Sequence, residues 1–191
     1  IMRLAYEDSL TRLPNRSLFN KWLNDACRSG NTATIIVMDI DRFKAVNDTF
    51  GHAVGDNVLK HVVGLMTSHI RQTDSLARIG GEEFGILLAN SDLADAYRVV
   101  ERIRLGIEAS TIQVGNRQVQ VTISAGVVTP FARESADALT RRVDAMLYRA
   151  KQNGRNQTCI DEPTSELLPI VATTPSSRKT PNCKDSAPQV S

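Results

Sequence analysis

Cysteine is scarce in this sequence: Cys27, Cys159 and Cys183 are odd in number and widely scattered. They offer neither a disulfide framework nor the paired spacing of a zinc knuckle, and a reducing compartment suits them. Long hydrophobic runs are missing as well, so no stretch has the length needed to cross a bilayer. The opening Ile1-Met2-Arg3-Leu4-Ala5-Tyr6 lacks the apolar core and cleavage site of a secretory leader. A first residue other than Met suggests a fragment of a longer protein. A strong excess of one charge is also absent. The formal net charge of +2 makes no case for nucleic acid or an anionic membrane surface as partner. A nucleotide enzyme could still gather its few cations at the phosphates. No internal repeat is evident.

What is present is enough for one α/β-sized domain: 191 residues, 41% hydrophobic and 23% charged. Leu13-Pro14-Asn15-Arg16 reads as a turn into a helix carrying Leu18, Phe19, Trp22, Leu23 and Ala26 at helical spacing, closed by Ser29-Gly30-Asn31. Residues 33–40 (ATIIVMDI) form a continuous β-branched apolar run, the mark of a strand buried on both faces. Residues 43–50 suit a short helix and residues 51–56 a loop. Val58, Leu59, Val62, Val63, Leu65, Met66 and Ile70 make the stripe of the next helix.

Residues 76–79 and 84–88 read as two short strands joined through Gly80-Gly81, a β-hairpin. A helix over 92–110 turns Leu93, Ala96, Val99, Val100, Ile103 and Ile107 inward, and a strand is expected over 119–128. The last helix spans 136–152 with Leu139, Val143, Met146, Leu147 and Ala150 on one face, and Gly154 lies where its C-cap belongs. From residue 162 to 191, Pro, Ser, Thr and Lys dominate, so this stretch is expected to be a disordered tail after a domain at 1–161. Leu167, Leu168, Ile170 and Val171 are a chance apolar cluster within it. The order of elements predicts an α/β (α+β) fold with a ferredoxin-like βαββαβ core, additional helices and a hairpin carrying Gly80-Gly81-Glu82-Glu83-Phe84.

Two acidic turns stand out: Met38-Asp39-Ile40-Asp41 at a strand end and Gly80-Gly81-Glu82-Glu83 at the hairpin tip. In a ferredoxin-like sheet the first strand can lie beside that hairpin, so these carboxylates could converge. Left uncompensated, that arrangement costs on the order of several kcal/mol. A divalent cation removes the cost, and magnesium uses one or two carboxylates together with waters and substrate phosphates. The hairpin alone is as well explained by an ordinary Gly-Gly turn with solvated glutamates. Asp39 shifts the balance toward a metal. Glycine at the tip would admit positive φ or a closely approaching molecule. Lys151 and Arg155 around Gly154 suit either the dipole of the preceding helix or a polyphosphate.

Several further blocks occur in order. They are Asp8-Ser9-Leu10-Thr11-Arg12-Leu13-Pro14-Asn15-Arg16, Asp39-Ile40-Asp41-Arg42-Phe43-Lys44, Asn47-Asp48, Gly51-His52 and Gly55-Asp56. Arg78, the GGEEF hairpin and Tyr148-Arg149-Ala150-Lys151-Gln152-Asn153-Gly154-Arg155-Asn156 complete the set. Together they resemble the GGDEF domain of bacterial diguanylate cyclases over residues 6–160. Glu82 stands where the family name has Asp, which preserves the carboxylate, and Arg42 occupies a variable position.

The resemblance implies a magnesium site, with manganese as a substitute, formed by Asp39, the Ile40 carbonyl, Glu82 and Glu83. The pair Glu82 and Glu83 shares metal binding and activation of the attacking 3′-hydroxyl. It also implies GTP as substrate. Backbone amides near Arg42 and Phe43, with Lys44, Lys151 and Arg155, would hold its phosphates, and Asn47 and Asp56 would read guanine beside His52. A carboxylate at Asp56 suits the N1–H and 2-amino donors that adenine lacks.

The implied reaction condenses two GTP into cyclic di-GMP and two pyrophosphates in a homodimer of half-sites, directed by an upstream sensory or dimerisation domain. Arg71-Gln72-Thr73-Asp74 matches the family's RxxD site for inhibition by cyclic di-GMP, with Arg102 as a secondary arginine. A cytoplasmic domain follows, within a parent protein compatible with inner-membrane anchoring. Two alternatives remain: a silent GGDEF module that signals by binding GTP or cyclic di-GMP, and a different palm-like nucleotidyl cyclase. The intact Asp39, Glu82, Glu83, Lys151 and Arg155 weigh against the first, and Asn47 with Asp56 against an adenine-specific form of the second.

Overall fold

The computed structural model describes residues 6–29 and 32–161. The expected tail at 162–191, with its apolar cluster, lies outside the described residues. In chain order the elements are α1 (Arg16–Ser29), β1 (Ala33–Ile40), α2 (Phe43–Phe50), α3 (His52–His69), β2 (Ser75–Arg78) and β3 (Glu83–Ala89). There follow α4 (Leu93–Ala109), β4 (Ile112–Val114), β5 (Arg117–Val119), β6 (Ile123–Val128), α5 (Ala136–Gln152) and β7 (Thr158–Ile160).

The main sheet has five strands in the order β2-β3-β1-β6-β7. β1 lies antiparallel between β3 and β6, which makes β1, β2, β3 and β6 the ferredoxin-like core, and β7 adds a parallel edge to β6. Every residue of β1 is buried, as its apolar run requires. Alternation sorts these side chains between two layers. Ile36, Met38 and Ile40 pack with α2, α3 and α4 through Val58, Val62, Met66, Val100, Ile103 and Ile107. Ile35 and Val37 face α1 and α5, against Phe19, Leu23, Leu139, Val143 and Leu147. Burial of each such side chain contributes about 1.5–3 kcal/mol, so the central strand is fixed from both faces.

Three expectations need correction. The glycines at 51 and 55 suggested a loop, yet only Gly51 is outside a helix. With φ at 85° it is the single joint between α2 and α3. Gly55 lies inside α3, where the Asn47 side chain of α2 fills the space that a Cβ would take. The strand expected over 119–128 is two strands. Arg117–Val119 pairs with Ile112–Val114 in a separate small hairpin, and only β6 joins the main sheet. The short edge strand β7 was not anticipated at all, since three half-buried residues carry almost no periodic signal.

Close approach also explains Gly126. A Cβ there would meet Leu147 N and Val143 O at 2.5 Å, both backbone atoms of α5. The helix therefore rests directly on β6. Gly126→Ala is expected to lower stability by about 1–3 kcal/mol through overpacking, read as an earlier urea midpoint. An unchanged midpoint would mean that α5 does not seat this closely.

Candidate active site

The geometry begins with the register of β1 and β3. Asp39 is directly opposite Glu83, and the Ile40 amide donates to the Glu82 carbonyl at 3.2 Å. Opposed residues of an antiparallel pair share a face. Both carboxylates therefore follow Val37 and Gly85 toward the α1 and α5 layer. The convergence expected of the two acidic turns is present in the backbone.

Asp39 is 6% exposed. Burial, with the nearby charges of Glu82 and Glu83, raises its carboxyl pKa from 3.8 to about 6, even though Lys151 Nζ stands 2.9 Å away and pulls the other way. Lys151 thus does more than complement the α5 dipole: it is the counter-ion of Asp39. A desolvated carboxylate beside two like charges fits a divalent cation. Among the described residues no three His, Cys, Asp or Glu side chains form a ready cage. A divalent ion here would need further ligands from water or from a bound substrate. Asp39, the Ile40 carbonyl, Glu82 and Glu83 are the groups that would hold it.

Asp41 has a different role. It is 7% exposed, and its carboxylate accepts from Ser124 Oγ at 2.6 Å, Thr122 Oγ1 at 2.7 Å and the Asn156 amide at 3.0 Å. All of its contacts are structural, and they tie the end of β1 to β6 and to the turn after α5.

The hairpin tip is braced from outside. Arg78 donates to the Gly81 carbonyl at 2.7 Å and pairs with Asp8 at 3.0 Å. Asp8 in turn accepts from the Thr11 amide and hydroxyl, and the Arg78 amide donates to the Pro14 carbonyl. The Asp8-to-Arg16 block is therefore a clasp on the hairpin. Arg16 completes it, donating to the Ile79 carbonyl at 2.5 Å and standing 3.6 Å from Glu83 Oε2. Neither Gly80 nor Gly81 has positive φ. Gly80 leaves room for the Glu83 carboxylate, whose Oε2 folds to within 2.5 Å of where a Cβ would stand.

Arg16, Ile79, Glu83, Asp144, Tyr148 and Lys151 border a cavity of about 240 Å³. Arg16 and Asp144 were not among the expected site residues. Burial and the Glu83 charge push the Asp144 carboxyl pKa upward. Helical spacing held the signal, because Asp144, Tyr148 and Lys151 recur on one face of α5.

The other candidates gather at the same end of β1, where α2 follows the strand on the other face of the sheet. Arg42 caps α2 in a left-handed conformation (φ 55°) with no side-chain hydrogen bond, which leaves the first amides of α2, at Phe43 and Lys44, without an intrahelical partner. Asn47 is half-buried on α2 against Gly55. His52 and Asp56 are exposed one turn apart on α3. Arg155 follows Gly154 in the turn after α5. Away from these, Arg71, Asp74 and Arg102 line one cavity of about 160 Å³ with His69, Asp95 and Arg98. There the Arg71 amide donates to Asp74 and Arg102 Nη2 to the His69 carbonyl.

The raised pKa of Asp39 has a signed consequence. Between about pH 4 and 6 the native carboxyl keeps a proton that the unfolded chain has released, so ionisation costs native stability as pH rises through that window. Asp39→Asn removes the cost. In EDTA the variant is expected to exceed the parent chain by about 1–3 kcal/mol at pH 7.5, with the advantage gone near pH 4. Urea unfolding at the two pH values checks this, and a variant less stable than the parent at pH 7.5 but level with it near pH 4 would show that the Lys151 contact outweighs desolvation.

Comparison with known proteins agrees with this geometry. Residues 5–157 match the family described as "Diguanylate cyclase, GGDEF domain". Diguanylate cyclase A of Treponema denticola is 42% identical over 141 residues, covering 73% of this chain and 38% of that protein. Response regulator PleD of Caulobacter vibrioides is 40% identical over 162 residues, covering 81% of this chain and 36% of its own. The chain thus spans little more than a third of either relative. The coiled-coil and GGDEF domain of DgcB from Caulobacter crescentus, solved with c-di-GMP, superposes with a TM-score of 0.79 at 30% identity, over 84% of this chain and 87% of that one. The active GGEEF domain of a Vibrio cholerae diguanylate cyclase gives 0.71 at 34% identity, over 78% and 98%. No helix among the described residues is long and apolar enough to cross a membrane. This chain belongs to the GGDEF-domain family of diguanylate cyclases.

Proposed function

We propose that the chain condenses two molecules of GTP into cyclic di-GMP, each domain supplying half of the site. The observation that carries this reading is the pairing of Asp39 with Glu83 on one face, with Lys151 over Asp39. Bound magnesium, or manganese in its place, would neutralise the acidic cluster and the phosphates and polarise the α-phosphate. Asp39, the Ile40 carbonyl, Glu82 and Glu83 would hold it. Lys151 is then free to leave Asp39 for a phosphate, joining Arg155, Lys44 and the amides at Arg42 and Phe43. Asn47 and Asp56, with His52 beside them, would read the guanine edge.

In each half-reaction the 3′-hydroxyl gives up its proton to the Glu82/Glu83 pair, and its oxygen bonds to the α-phosphorus of the other GTP. The bond from that phosphorus to the β-phosphate breaks, and pyrophosphate leaves with the electron pair. One chain presents one nucleotide, so a second copy must face it, and positioning of the two reactants controls the rate. A partner domain upstream would set that geometry, and the GTP supply places the domain in the cytoplasm. Arg71, Asp74 and Arg102 would bind the product and inhibit.

Incubation of the chain with GTP and magnesium, followed by chromatography, is expected to yield cyclic di-GMP. None at high protein concentration, and none after forced dimerisation, would overturn the enzyme reading in favour of a silent module. Glu83→Ala is expected to lower turnover by about 10²-fold or more while GTP binding is largely kept; unaltered turnover would remove Glu83 from the chemistry. For Arg71→Ala the expected outcome is relief of inhibition by added cyclic di-GMP, and superimposable inhibition curves would show the Arg71 site unused.

A further inference from the structure

The turn after α5 holds a costly backbone shape. Gly154, Arg155 and Asn156 have φ of 114°, 67° and 46° in succession. For a non-glycine residue the left-handed region costs about 1–2 kcal/mol, least for asparagine. Two such residues in a row persist only where their surroundings demand it.

The demand comes through Asn156. Its amide donates to the buried Asp41 carboxylate at 3.0 Å, its Oδ1 accepts from Arg104 at 2.8 Å, and its Nδ2 donates to Glu108 at 2.7 Å. Arg104 is itself fixed by Glu101, which also accepts from Thr158 at 2.6 Å. Its amide is thereby tied to Asp41, just past the end of β1, and both polar atoms of its side chain to α4. No hydrogen bond among the described residues joins the turn to α2 or α3.

Arg155 is the opposite case. Its amide donates to the Ala150 carbonyl, but its guanidinium makes no hydrogen bond or ion pair among the described residues. With Arg42, whose guanidinium is equally unpaired, it lines a cavity of about 690 Å³ between α2, β5 and this turn. Asp41 and Glu108 line it too, but their carboxylates are engaged by Asn156 and Arg104, so the two unpaired guanidiniums remain to suit an anion. A strained turn locked on one side and carrying a free cation on the other is a mounting for that cation.

We propose that Asn156 is a positioning residue: clamped between Asp41 and Arg104, it holds Arg155 in this cavity to take the terminal diphosphate of GTP and, once the α–β bond has broken, the departing pyrophosphate. The inference rests on the nucleotide reading above, in which Arg155 contacts phosphate, and adds the clamp, the Arg42 side chain and the cavity.

The test compares binding of a GTP analogue with an α,β-methylene bridge, which cannot turn over, with binding of GMP, which lacks the diphosphate. Calorimetry on the 191-residue chain should show the analogue binding more tightly than GMP. Asn156→Gly keeps the left-handed turn but loses the side-chain clamp. It is expected to weaken the analogue about tenfold and GMP less than twofold, and to raise the pyrophosphate concentration needed for inhibition. Asn156→Asp keeps the acceptor for Arg104 but sets a carboxylate against Glu108, so it is expected to weaken the analogue at least as much as Asn156→Gly, again with little effect on GMP.

Should Asn156→Gly fail to fold, Arg104→Lys is expected to weaken the analogue about threefold and leave GMP alone. Equal loss for both ligands, or no loss for either, in whichever variant folds would overturn the proposal. If the parent chain itself binds the analogue no better than GMP, the phosphate role of Arg155 fails first and the clamp with it.

Discussion

Everything at this site depends on a carboxylate placed where carboxylates are unfavourable. Asp39 ends a strand buried on both faces, in register with Glu83 on the neighbouring strand. Water that would screen it is excluded, and two further glutamates raise the cost. The chain spends one cation, Lys151, in partial relief. An arrangement so poorly compensated in the protein alone would be relieved by a ligand that brings its own positive charge.

The remainder of the fold can be understood as support for that register. Gly126 lets α5 settle onto β6, which brings Lys151 over the end of β1. Gly55 leaves room for the Asn47 side chain of α2 against α3, the helix that carries Asp56. The Asp8–Arg78–Gly81 clasp fixes the hairpin tip from outside the sheet. Each device is a close contact or a charge-assisted hydrogen bond, and none of them touches the reacting atoms.

Much of this was legible in the sequence, and the physical reason is periodicity. Long elements with one apolar stripe, such as α4 and α5, announce their inward faces. The unbroken apolar run of β1 announces burial on both sides, and with it the oddity of Asp39. Short elements lack enough periods to be read. β7 has three residues, and β4 and β5 have three each. Glycine misleads for a related reason. At 51 it is a joint and at 55 a packing contact, and only the position of Asn47 distinguishes the two. Asp41 shows the same limit. Its spacing from Asp39 puts it on the same face, yet Ser124, Thr122 and Asn156 engage it, and those partners lie more than eighty residues away along the chain.

The two aspartates of one turn therefore divide the work by the partners they find. Asp41 accepts three hydrogen bonds from neutral donors, which makes it an anchor for the strand end and for the turn that bears Arg155. Asp39, on the other side of Ile40, finds a single lysine and two repelling glutamates. In a low-dielectric setting a satisfied carboxylate rigidifies its surroundings and an unsatisfied one stores free energy. Placing both on one short segment couples them: the rigid member keeps the strained member from relaxing. The anchored and the strained carboxylate are thus held side by side at one strand end, and a cation binding at Asp39 would relieve charge at a segment that Asp41 already fixes.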